Sequence, residues 1–377
     1  MVAWDLVDAG ESATEEVRKA ISAELNIPKD QILVTASHNH SAPWSPVYEK
    51  GYRGKELDTW WAIRHIKTQN NDPYFKEWMA QLIDQTVKSA RLAYDAMQPA
   101  TLWIGRADIS EYLHNRRPKL PEWGVEESNI PKSYTYFHED WNPKVLVGGA
   151  TFGPLDRTMT LISFRGHNGE NIVSIFHLAA HAVSIYPFSD KISGDWPAEA
   201  TKRISDALGG EAIFLQGCAG DVNPWRRGRE AVNEMGEGLA DYAKTAYKYS
   251  VRLKPDTLGS ISASIELPLT EIGKERTGLN TVKAEVQVIT LGSLALVTLP
   301  GEPFTDLGTV IREQSPFPQT LVLGYSNGNG VHYVGLAGEK ARGGYEMEVG
   351  TVGTDEVGEM LVELAVRLLH ETKTNQE

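Results

Sequence analysis

Two histidines one residue apart, His38 and His40, stand just after the apolar run Ile32-Leu33-Val34. If that run is a strand that continues through them, side chains two residues apart point to the same face. Both imidazoles then enter one pocket and Asn39 turns away. Neutral imidazole binds zinc well, and the same ring carries protons near neutral pH. One of the pair can therefore hold a metal while the other moves protons. A hydrogen-bonded core pair or a surface pair would show the same spacing.

Four later segments repeat this layout of an apolar run followed by polar or metal-capable residues. Residues 172–178 lead to His181, residues 212–215 to Gly220-Asp221-Val222-Asn223-Pro224, residues 294–299 to Glu302, and residues 321–323 to Gly324-Tyr325-Ser326. Ligands in α/β proteins gather at the carboxyl ends of strands, and that common placement assigns these segments to one site. His181 stands where a ligand belongs, whereas His177, inside its apolar run, reads as a core histidine. Glu302 with two histidines makes a two-His, one-carboxylate set that leaves zinc open to water. It also stands where a glutamate favours a helix N-terminus. Asp195 can orient a ligating histidine or cap the helix that begins near Pro197. Asn223 can donate to a substrate carbonyl, and Gly220 lets the chain approach a ligand closely; these are equally the residues of a plain turn. Arg226, Arg227 and Arg229 can meet an anionic group or form a solvated helix entry. Tyr333 and Tyr345 flank a stretch with Gly335, Gly338, Gly343 and Gly344. That stretch lacks the Lys-Ser/Thr ending of a phosphate loop, so a mobile substrate loop is expected.

The elements that must position these residues alternate between strands and helices, the α/β pattern. A helix is expected from about Thr14 to Leu25, with Ser12 and Glu15 at capping-box spacing. Val17, Ile21 and Leu25 form its apolar stripe, and Asn26 and Pro28 end it. Further helices are expected from about Phe304 and over residues 361–370. Residues 44–78, with Trp44, Trp60, Trp61 and Trp78, break the pattern; they read as a lid at the site mouth or as a surface insertion. The chain has 377 residues, 41% of them apolar, enough for one large domain or two ordinary ones. Its formal net charge of -13 is spread along the chain, which lacks the basic face of a nucleic-acid binder. The one cysteine, Cys218, excludes an intrachain disulfide and Cys-rich zinc motifs. Metal ligands must then be His, carboxylate or Tyr. No run approaches the ~18 apolar residues of a membrane helix. The opening residues carry no signal-peptide pattern, which leaves the compartment open between cytoplasm and secretion from a longer precursor.

Taken in order, the motifs resemble those of the neutral/alkaline, non-lysosomal ceramidase family. Ser37-His38-Asn39-His40-Ser41-Ala42-Pro43 is similar to that family's His-Thr-His-Ser-Gly-Pro block, and Asn115-Arg116-Arg117-Pro118 to its Asn-Arg-Ser-Pro segment. Ala180-His181, Ile192-Ser193-Gly194-Asp195, Pro300-Gly301-Glu302 and residues 326–345 match later blocks. Gly220-Asp221-Val222-Asn223-Pro224 is similar to Gly-Asp-Val-Ser-Pro, with Asn223 in place of Ser. Asn39 likewise replaces Thr. The likeness covers nearly all of the chain, which resembles a single catalytic domain over residues 1–377 without the family's first strands or its C-terminal β-domain.

The resemblance implies an α/β fold with central mixed sheets and helices outside. It implies about one zinc per chain, held by His38, His181, Glu302 and Tyr333. His40 would be the general acid/base, Arg116 and Tyr345 would contact the substrate or its developing oxyanion, and Asn223 and Asp221 would lie at the substrate. The implied reaction is hydrolysis of a ceramide-like N-acyl amide by zinc-activated water, with His40 passing the proton to the leaving amine. The expected partner is thus a small or lipid-like acyl substrate. An esterase or lactonase on the same scaffold, and a non-catalytic binding protein with a structural zinc, are the competing readings.

Overall fold

The structure, a computed structural model, describes residues 1–45, 73–117, 151–186 and 188–376. Trp60 and Trp61, central to the expected lid, lie outside the described residues.

The chain opens with β1 (Val2–Trp4), helix α1 (Glu11–Leu25), β2 (Val34–Ala36) and helix α2 (Pro73–Asp95). β1 and β2 pair in parallel. Val17 and Ile21 of α1 are buried with Trp4, Val34 and Ala36, so the stripe packs as its spacing requires. The expected capping box does not form. The helix starts earlier, at Glu11, with Gly10 as an N-cap that offers no side chain. Ser12 already lies inside the first turn. Asn26 ends the helix in a left-handed conformation, its N–H donating to Ser22 O.

There follow β3 (Thr101–Asp108), β4 (Leu113–Asn115), β5 (Thr158–Arg165), β6 (Asn171–Leu178), α3 (Asp195–Leu208), β7 (Glu211–Gln216), β8 (Val222–Pro224), α4 (Arg229–Lys248) and β9 (Val251–Leu253). The rest comprises β10 (Leu258–Pro268), α5 (Glu271–Thr277), β11 (Thr281–Leu291), β12 (Leu294–Thr298), β13 (Glu302–Pro303), α6 (Thr305–Gln314), β14 (Gln319–Leu323), β15 (Tyr333–Val334), α7 (Tyr345–Glu348) and α8 (Val357–Gln376). One sheet has the order β7-β6-β5-β3-β9 and a second β10-β11-β12-β14. Both are mixed: β6 and β7 are parallel, as are β12 and β14, and the other neighbours are antiparallel.

Alternation along the strands fixes how these sheets stack. Ile175, Leu215, Leu294, Leu321 and Leu323 share one core between the two sheets. Their sequence neighbours face outward. Phe176 and Phe214 join Trp196, Ile204, Met235 and Leu239 beneath α3 and α4. Ala295, Val297 and Val322 meet Leu307, Ile311, Leu361 and Leu368 beneath α6 and α8. The result is helix, sheet, sheet, helix. Strands buried on both faces read as unbroken apolar runs, which is why these were visible in the sequence. Each fully buried Leu, Ile or Phe contributes roughly 1.5–3 kcal/mol of transfer energy. His177 lies between the sheets and bonds Val322 O at 3.1 Å, a core histidine as expected. The carboxyl ends of β2, β6, β7, β12 and β14 lead to the segments that carry the chemistry. Among the described residues, no helix is long and apolar enough to cross a membrane.

Candidate metal centre

β2 ends at Ala36, and His38 has a left-handed backbone, φ 58°. The two histidines are therefore not on a continuing strand, and strand alternation is not what joins them. A turn does so instead. The His40 N–H donates to Ala182 O at 3.3 Å, and the two rings meet with their Nε2 atoms 3.0 Å apart. Asn39 is buried; its carboxamide accepts from the Ser41 N–H and donates to Ser193 O. A non-glycine residue in this backbone region costs about 1–3 kcal/mol, and such strain clusters at functional sites.

His38, His40 and His181 bring one ring nitrogen each to within 4.8 Å of one another. Glu302 Oε2 lies 3.1 Å from His38 Nε2 and 3.2 Å from His181 Nε2. The far side of both rings is tied to the main chain: His38 Nδ1 to Val7 O at 2.7 Å, His181 Nδ1 to Ala219 O at 2.6 Å. A carbonyl only accepts, so each Nδ1 carries the hydrogen and a neutral ring presents a lone pair at Nε2. Burial, with Arg116 nearby, pushes the His181 imidazole down to about 4, so that ring is neutral at pH 7. Two lone pairs and a carboxylate oxygen thus converge with no hydrogen between them. A cation satisfies such a set, and imidazoles anchored by carbonyls through Nδ1 are the usual second support of metal ligands. The donor set fits a metal ion.

The loops behind the ligands pack tightly. A Cβ on Gly220 would collide with the main-chain carbonyl of Glu302, so only glycine lets the β7–β8 turn pass so close to the Glu302 backbone. Glu302 and Tyr333 are paired neighbours in the parallel β13–β15 ladder. The Tyr333 ring stacks on His181 at 6.4 Å, and its hydroxyl accepts from Arg116 Nη2 at 3.0 Å. Arg116 Nη2 also donates to Gly220 O at 2.7 Å. Tyr345, 54% exposed, stands at the mouth with its ring 6.0 Å from Tyr333.

Two expected aspartates and the arginine run bond within the protein. Asp221, expected at the substrate, instead accepts from the Thr305 N–H at 2.8 Å, the Thr305 hydroxyl at 2.9 Å and Asn115 Nδ2 at 2.6 Å. Both its oxygens bind the protein, and it joins the start of α6 to β4. Asp195, expected to orient a histidine, accepts the N–H groups of Ser184, Ile185 and Trp196. Main-chain carbonyls take the orienting role, and Asp195 acts only through Trp196, whose indole donates to His181 O at 2.9 Å. The arginine run is used locally: Arg226 pairs with Glu234, and Arg227 donates to Val183 O and Tyr186 O. Asn223 is fully buried beside His114 in the β4–β8 ladder, and among the described residues neither its Nδ2 nor its Oδ1 has a hydrogen-bond partner.

Two residues had no role assigned from the sequence. Tyr325, in a segment already placed at the site, stacks on His38 at 4.2 Å, with φ 52° and a buried hydroxyl that makes no hydrogen bond among the described residues. Glu346 lies 2.7 Å from Arg116 Nε, and only its position next to Tyr345 pointed to it.

Among solved structures, the chain is similar to neutral ceramidase from Pseudomonas aeruginosa, with a TM-score of 0.67 and 16% identity. That match covers 97% of this chain and 66% of the other. It is also similar to a ceramidase complexed with C2, with a TM-score of 0.69, 15% identity, and 97% and 67% covered. The chain thus spans about two thirds of the length of either protein. At this identity the likeness is one of fold, and it is the fold that the ordered motifs implied. No protein-family model matches the chain, and no curated protein does.

Proposed function

We propose that this chain is a zinc-dependent hydrolase of the neutral ceramidase type that cleaves a lipid-like N-acyl amide. The convergence of His38 Nε2, His181 Nε2 and Glu302 Oε2, with both Nδ1 atoms held by carbonyls, carries the reading. His nitrogen and carboxylate oxygen are zinc's ordinary ligands, and Tyr333, beside Glu302, would be the fourth. Zinc held there would supply Lewis acidity and lower the pKa of water toward neutral. His40 is the proton carrier. Its ring has no main-chain anchor among the described residues, and burial and the adjacent imidazoles hold it well below its usual range. It is thus neutral and ready to accept a proton as water adds to the acyl carbon. It then delivers that proton to the leaving nitrogen. Arg116 and Tyr345 donate to the carbonyl oxygen as negative charge builds on it; one such donor is worth about 10²–10³ in rate.

Asn223 supports an amide rather than an ester. Its unpaired Nδ2 and Oδ1 offer one donor and one acceptor, the complement of an amide C=O and N–H. An ester has no N–H, so Oδ1 would stay buried and unsatisfied, which sites of this kind penalise strongly. The test is zinc content by mass spectrometry with an assay panel of N-acyl amides, aryl esters and lactones, on the wild type and His40→Ala. About one zinc per chain, amide preference, and a variant that keeps zinc but loses at least ~100-fold in kcat are expected. Full activity without metal would sink the zinc reading, and a preference for esters or lactones would sink the amide reading.

A further inference from the structure

We propose that Glu346 is a positioning residue that holds Arg116 and the Tyr345 turn in one fixed relation, with Arg117 as the second half of the clamp. This rests on reading Arg116 and Tyr345 as substrate-facing.

Two adjacent guanidinium groups are buried here, each side chain only 7% exposed. One carboxylate serves both. Glu346 Oε1 lies 2.7 Å from Arg116 Nε, and Oε2 lies 2.9 Å from Arg117 Nη1. A buried charge that loses a partner costs several kcal/mol; Glu346 is shared by both cations, and Arg117 has a second carboxylate in Glu339 at 3.1 Å. Arg116 is therefore held in two ways: the Glu346 carboxylate pairs with its charge beside Nε, while Gly220 O and Tyr333 Oη accept hydrogen bonds from Nη2. The direction in which its fork points follows from that pair of anchors.

Arg117 binds the turn that carries Tyr345. Its Nη1 donates to Gly343 O at 2.8 Å, and its Nη2 to Glu339 O at 3.2 Å and Glu339 Oε2 at 3.1 Å. In return, Arg342 Nη2 donates to Arg117 O at 3.0 Å. A Cβ on Gly344 would lie 2.8 Å from Arg117 Nη1, and φ there is 89°, so the turn closes directly on this side chain. Glu346 follows Tyr345 in sequence, so the same short helix carries the carboxylate and the phenol. The glycine-rich stretch is thus tied down on Arg117 rather than loose. A displacement of about 1 Å in a catalytic group can cost on the order of 100-fold, and Glu346 is, among the described residues, the carboxylate that touches both arginines.

Glu346→Gln keeps the shape and removes the charge both arginines share. We expect it to retain zinc, to lower kcat by roughly 10–100-fold, and to leave KM within about threefold. In an Arg116→Ala background it should add less than about a twofold loss, because it acts through Arg116. Amide hydrogen exchange over residues 343–350 should speed up in Glu346→Gln whether or not a substrate is known. Unchanged kcat, loss of zinc, or a full additional loss in the Arg116→Ala background would overturn the proposal, as would unchanged exchange. If the wild type hydrolyses nothing, the proposed function falls, and the exchange result alone decides the clamp.

Discussion

Asp221 illustrates how a residue chosen for chemistry can turn out to hold elements together. Its carboxylate is buried and its acid form is favoured, with the group pushed up to about 6 from 3.8 despite three hydrogen bonds that oppose the shift. Between about pH 4 and pH 6 the folded chain keeps this proton and the unfolded chain does not. Stability from this group is therefore complete below about pH 4 and lost as pH rises through 6. The difference in unfolding free energy between wild type and Asp221→Asn should fall across that window by at most about 1.4 kcal/mol per pH unit. Urea titrations at pH 4, 5, 6 and 7 measure it; a constant difference would mean that the carboxyl is not raised. Asp195 teaches the same point. An aspartate at the start of a helix looks alike in sequence whether it caps the helix or supports a ligand, because only its folded partners, here the Ser184, Ile185 and Trp196 N–H groups, distinguish the two.

At the scale of elements, strands whose apolar runs are buried on both faces were legible, and so were the segments at their carboxyl ends. The helix over α1 was legible in its stripe and its stop but not in its start, since a glycine N-cap leaves no side-chain signature. The meeting of His38 and His40 was anticipated for the wrong reason: the strand stops, and a left-handed turn brings the rings together. Arg116 and Glu346 are 230 positions apart in the chain, and no local pattern announces a contact that only the β4–β8 ladder and the α7 turn create. That turn makes a prediction of its own. Gly344→Ala places a Cβ against Arg117 in a backbone region that disfavours side chains. It should cost about 1–3 kcal/mol and reduce kcat along with stability. Denaturant midpoints and single-turnover rates test this, and a fully active, equally stable variant would show that the turn can reshape freely.

For the whole molecule, the proposed ligands stand just after β2 and β6 and within β13 and β15, so one ion would join the β1–β2 pair, the five-stranded sheet and the β13–β15 ladder. Metal should then act as a global staple. At a free zinc concentration of 100 times Kd, the added stability is about 2.7 kcal/mol, or a few degrees in Tm. Calorimetry before and after chelation, then with zinc restored, should show the fall and the recovery; a Tm indifferent to bound zinc would argue that the ligands are not shared between the sheets. A last consequence lies in what faces the other side of those rings. Val7 O and Ala219 O are main-chain atoms, and no codon change at those positions can delete them. Substitution can remove the imidazoles but not the acceptors that set their tautomer. The ligand side of this centre is open to variation, while its support descends with the path of the chain itself.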